Sequence, residues 1–77
     1  MPYYHIRVTS TSGHDDDGIF AEVNAWDGMN PNQRDAKMGV YMNRTKDRHG
    51  PGASRYIFSW ETFEVVDEVP PDGELIT

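Results

Sequence analysis

The side chains able to do chemistry fall into an acidic loop, a basic middle and an acidic C-terminal run. Gly13 to Gly18 (GHDDDG) clusters carboxylates around glycines, the combination that calcium, a hard oxygen-seeking cation, favours. Placing Gly18 at the loop glycine of an EF-hand puts Asp15 and Asp17 at ligand positions. It also puts Gly13 where the first acid belongs and Asn24 where the closing bidentate glutamate belongs, so the EF-hand pattern fails. Asp15 and Asp17 are left as candidate ligands of a looser calcium or magnesium site, against the alternative of a solvated acidic loop. His5, His14 and His49 have neither helical i, i+4 spacing nor a CxxC partner, so they read as surface histidines rather than a zinc set. No cofactor is expected.

The basic middle supplies Arg44, Lys46, Arg48 and Arg55 around a glycine-rich stretch, Thr45 to Ser54 (TKDRHGPGAS). With Tyr41 and Tyr56 nearby for stacking, this is the best nucleic-acid candidate in the chain. The acidic remainder would repel the same phosphate backbone, and a loop gripping an acidic protein surface explains these residues as well. The C-terminal half carries Glu61, Glu64, Asp67, Glu68, Asp72 and Glu74, either as a solubilising run or as a negative face that docks on a cationic protein surface.

Catalysis has little support. Glu61 and Glu64, three apart in a regular strand, point to opposite faces. The chain has no cysteine, no GxSxG elbow and no phosphate loop ending in lysine. A Ser-His-Asp set is not excluded by residue order. The expectation is a protein that is not an enzyme.

The elements that position these groups follow from residue patterning. Arg55 to Val69 (RYIFSWETFEVVDEV) is dense in β-branched and aromatic residues and lacks Gly and Pro, which reads as a central strand. Tyr56, Phe58 and Trp60 share one face, and Ile57, Phe63 and Val65 the other. A β-bulge near Ser59 to Thr62 would carry both sets toward one core; without it, Ile57, Phe63 and Val65 form an exposed docking patch. Tyr3 to Thr9 alternates Tyr4, Ile6 and Val8 against polar residues as a half-buried first strand. Ile19 to Trp26 alternates as a second, paired across the acidic loop.

Ala36 to Arg44 is expected to be a third strand, because Ala36, Met38, Val40 and Met42 alternate with period two. The competing reading takes Asn30 as an N-cap, Pro31 as the first helical residue and a helix through Met42. Gly39 would cost that helix roughly 1 kcal/mol relative to Ala. Pro70 to Gly73 stops the sheet.

Seventy-seven residues make one domain near the lower limit for an adequate core. The expected architecture is all-β or β-rich α+β: a four-stranded antiparallel meander over residues 1–69, curled or partly closed, with a C-terminal arm at 70–77. No apolar run approaches a membrane span and no signal-like start is present, so the expected location is cytoplasmic and not secreted. The net charge is −6. Acidic ends, a basic middle and the apolar pair Leu75 and Ile76 are the ingredients of a non-catalytic interaction module. Its expected partner is another copy of the chain, in an oligomer whose arms complete neighbouring sheets, or a basic protein surface. The alternatives are an acidic inhibitor of a nucleic-acid-handling protein and a loop-based metal binder.

Overall fold

The computed structural model describes residues 1–76 and shows a β-rich α+β fold. In chain order it has strands β1 (Tyr3–Ser10) and β2 (Asp16–Glu22), a short helix α1 (Val23–Asp27) and a long helix α2 (Pro31–His49). A 3-10 turn (Ala53–Arg55), strand β3 (Phe58–Val66) and a two-residue strand β4 (Glu74–Leu75) follow. The strands form an open sheet in the order β3-β1-β2-β4. β1 is antiparallel to both of its neighbours, whereas β4 runs parallel to β2. The sheet is therefore mixed rather than an antiparallel meander. Thr77, the last residue of the expected arm, lies outside the described residues.

The alternation in β1 works as its sequence implies. Ile6 and Val8 are fully buried, and Ile6 pairs with Ile19 of β2 while Tyr4 pairs with Ala21. Residues directly opposite in a ladder share a face, so these apolar side chains meet Trp26 of α1 and Met38 of α2 in one core. Each fully buried aliphatic side chain there stabilises the fold by about 1.5–3 kcal/mol relative to exposure. β2 ends earlier than alternation suggests, at Glu22. The Glu22 carboxylate caps α1 by accepting from the Asn24 N–H at 3.2 Å and the Ala25 N–H at 2.9 Å.

The strand expected over Ala36 to Arg44 is a helix. The N-terminal signals decide it: Asn30 Oδ1 accepts from the Gln33 N–H, Gln33 Oε1 accepts from the Asn30 N–H, both at 2.9 Å, and Pro31 opens the first turn. Lys46, Arg48 and His49 occupy the last turn, where positive charge suits the helix dipole. Of the period-two residues, Met38 is buried but Ala36 and Val40 are exposed. The face that packs is Met38, Tyr41, Met42 and Thr45, a helical spacing. The long loop expected at Thr45 to Ser54 shrinks accordingly to a turn at 50–52, with positive φ at Gly50 and Gly52.

The stretch expected to be central is at an edge. β1 holds the middle because it is apolar on its packed side with a ladder on each flank, whereas β3 carries carboxylates at Glu61 and Glu64 that suit a margin. The β-bulge is present one residue beyond the expected stretch. His5 pairs with Glu64 and Ile6 with Thr62, which leaves Phe63 as the extra residue. Phe58 and Trp60 pack toward the core, and Val65 lies opposite Tyr4. Phe63 stays on the other face, its ring 4.2 Å from that of His5.

Candidate interaction surface

The sheet has two edges, and the chain treats them differently. On the β2 side, β4 pairs Glu74 with Ile19 and Leu75 with Phe20, and the Ile76 N–H donates to the Phe20 carbonyl at 2.7 Å. Arg44 of α2 fastens this edge. Its guanidinium donates to Asp16 Oδ2 at 3.0 Å and also to Glu74 Oε2, while Arg48 reaches the same Asp16 oxygen at 3.3 Å. The bond to Glu74 raises the Arg44 pKa; partial desolvation works against it, and the bond to Asp16 adds to the rise. Tyr41 lies under the Arg44 guanidinium, 4.9 Å away. Burial raises its hydroxyl pKa first and the Glu74 charge adds to the effect, against the pull of Arg44.

Among the described residues the β3 side has no strand beyond it. Ile57, just before β3, turns both backbone groups toward the β1 side: its carbonyl accepts from the Thr11 N–H at 3.1 Å, and its N–H donates to Thr11 Oγ1 at 3.2 Å. Successive residues of an antiparallel strand direct their backbone groups to alternate sides. Phe58, Trp60 and Thr62 therefore carry their N–H and C=O groups to the outer edge. Trp60 is held by its indole N–H, which donates to Asp35 Oδ1 of α2 at 3.1 Å, and by edge-to-face contact with Trp26 at 5.5 Å.

The face of the sheet away from α2 bears a column of rings. Phe20 stacks on His5 at 4.4 Å, His5 touches Phe63, and the Arg7 guanidinium sits 4.5 Å over the Phe63 ring. His5 Nδ1 meets Glu64 Oε1 at 2.7 Å and its Nε2 meets the Asp17 carbonyl, so the imidazole ties β1 to both neighbouring strands. Arg7 also meets Glu61 at 3.3 Å.

The sequence candidates divide between these regions. Glu61, Glu64, Asp67 and Glu68 lie along or just after β3, all exposed. Because the bulge lets Phe63 and Glu64 share a side, Glu61 and Glu64 occupy one face rather than opposite ones. Asp72 lines a shallow pocket of about 170 Å³ with Asp17, His5 and Phe20, and Glu74 is at the opposite edge. Arg44 and the largely exposed Arg48 both reach Asp16, Lys46 lies 5.4 Å over the Phe58 ring, and Arg55 ends the 3-10 turn exposed. Leu75 sits in β4 and Ile76 packs against the core of its own chain.

Asp15 is exposed in the hairpin loop and Asp17 falls within β2. Among the described residues no three His, Cys, Asp or Glu side chains converge in a way that could hold a metal ion. Ser12 Oγ is 2.9 Å from His14 Nδ1, but in an exposed turn, and the ring of His14 lies against that of His49 rather than against a carboxylate.

Sequence reasoning missed Asp16, His5 and Asp35. Alternation marks His5 as facing away from the core, but nothing local in the sequence joins Asp16 to Arg44, 28 residues on, or Asp35 to Trp60, 25 residues on. No helix of the described residues is long and apolar enough to cross a membrane. No family model matches the chain, and neither a characterised protein nor a solved structure matches it.

Proposed function

We propose that this protein is a non-catalytic interaction module that binds a partner by adding the partner's extended segment to the outer edge of β3. The observation that carries this reading is the row of outward backbone groups at Phe58, Trp60 and Thr62 on a nine-residue edge strand free of Gly and Pro. Such a row is a template for strand addition, in which main-chain hydrogen bonds supply affinity and the flanking side chains supply selectivity. Three apolar side chains, Ile57 just before the strand and Phe63 and Val65 within it, are 73%, 39% and 57% exposed and add contact area. Arg44 is held by Asp16 and Glu74 and Ile76 packs on the core, which favours β3 over the basic middle or the C-terminal arm as the surface of association.

The chain is short enough for total chemical synthesis, so Trp60 can be given an N-methylated backbone amide. This removes one outward donor and places a methyl group on the edge while sparing the ladder to β1. Random extended peptides displayed in a library are then selected on the unmodified protein and challenged on the methylated one. The reading expects peptides that the unmodified chain retains and the methylated chain releases. Equal retention by both, or retention by neither, would overturn it.

A further inference from the structure

We propose that the segment taken by this edge is cationic: an extended stretch of another protein with Lys or Arg at alternate positions, laid beside β3. This rests on the interaction reading above and names the chemistry of the partner. From Phe58 to Val69 the chain carries Glu61, Glu64, Asp67 and Glu68 and no basic residue. The Glu61 and Glu64 side chains are 58% and 51% exposed on the face away from α2, with one oxygen of Glu61 on Arg7 and one of Glu64 on the His5 ring. Asp67 and Glu68 follow in an exposed bend and hold no ion pair among the described residues. Side chains of an added strand on that face stand beside Ser59, Glu61 and the Phe63–Glu64 bulge, with Cβ atoms about 4.5–5.5 Å from their cross-strand neighbours. Alternate cationic positions on the added strand therefore all meet this one acidic flank.

The same flank already receives a cation from within the fold. Arg7 lies over the Phe63 ring and against Glu61, a combined ring and carboxylate environment suited to guanidinium. Asp17 and Asp72 extend the negative character of the face across the sheet. Two other occupants fit less well. A second copy paired edge to edge would set the acids of one β3 against those of the other, on chains that each carry a net charge of −6. A nucleic acid would bring phosphates to the same carboxylates.

The test is a titration of the intact, isotope-labelled protein with capped peptides of about seven residues, roughly the length of β3's regular part with its flanks. One alternates lysine with threonine, and two controls carry glutamine or glutamate in place of lysine. Amide resonances are followed at low and at high salt. The lysine peptide is expected to shift the Phe58, Trp60 and Thr62 amides, to bind about tenfold or more tighter than the glutamate peptide, and to weaken as salt rises. Substituting Asp67→Asn and Glu68→Gln, which breaks no internal ion pair, should weaken it about three- to tenfold. Equal binding of the lysine and glutamine peptides without salt dependence would overturn the cationic partner and leave the edge reading standing. Shifts confined to the Asp17 and Asp72 pocket, or no shift with any peptide, would overturn strand addition of a cationic segment. Selection against the Trp60-methylated chain decides the broader reading independently.

Discussion

The two edges of this sheet start from similar material and end differently. Each is flanked by acids, Asp16 and Glu74 on one side and Glu61, Glu64, Asp67 and Glu68 on the other. The β2 edge is closed: α2 sends Arg44 and Arg48 to its carboxylates, and the C-terminal segment returns to pair with the strand. The β3 edge receives Arg7 and His5 from β1 beneath it, but no strand beside it among the described residues. Where α2 supplies cations the acidic margin is tied down within the fold; the Glu61 and Glu64 side chains of the other margin stay more than half exposed, which is why we propose that margin as the binding surface.

The sharpest way to break the closed edge is Arg44→Met. It keeps most of the apolar stem over Tyr41 and removes charge-assisted bonds to a carboxylate that is only 11% exposed at Asp16. We expect a loss of about 2 kcal/mol by chemical denaturation, with little change in peptide binding at β3. A loss under about 0.5 kcal/mol would mean the latch is a surface decoration.

Gly73→Ala attacks the same edge sterically. A Cβ there would lie 2.7 Å from Phe20 Cε2 and 2.9 Å from Val69 Cγ1, so the turn before β4 must shift. The expected cost is about 1–2 kcal/mol, with faster amide exchange at Ile76. Gly39→Ala works in the opposite direction. A Cβ at Gly39 meets nothing within 4 Å, and the helix that carries the latch should gain about 1 kcal/mol.

The last effect is confined to alkaline pH. Tyr4 is raised above 10.0 chiefly because its hydroxyl donates to Asp27, and Tyr41 is raised above 10.0 chiefly by burial. A folded-state pKa above the unfolded value means that the unfolded chain loses the proton first. The stability these hydroxyls contribute is therefore complete below pH 10 and is lost as pH rises through the folded values. Replacing both tyrosines with phenylalanine should flatten the alkaline decline, read as denaturation midpoints against pH. An unchanged decline would place its cause elsewhere.

What the sequence made legible was local. Alternation in Tyr3 to Thr9 identified β1, and the density of β-branched and aromatic residues identified β3. Both depend only on a strand having two faces. The helix was obscured because Ala36, Met38, Val40 and Met42 mimic a strand around Gly39, although Asn30, Pro31 and Gln33 already spelled its start. The position of β3 in the sheet was not legible, because strand order depends on where α2 delivers the chain. Nor was the fate of the charges: Arg44 and Arg48 read as a free basic patch until the fold set Asp16 beneath them, and Glu61 and Glu64 read as opposed until the bulge at Phe63 brought them to one face.

The most direct test of the central claim is residue-resolved amide hydrogen exchange along β3 in the partner-free chain. The open edge predicts alternation, with Ser59 and Glu61 protected by the ladder to β1 and Phe58, Trp60 and Thr62 exchanging fast. Uniform protection of all five amides would show that something already covers the edge, and would contradict the account.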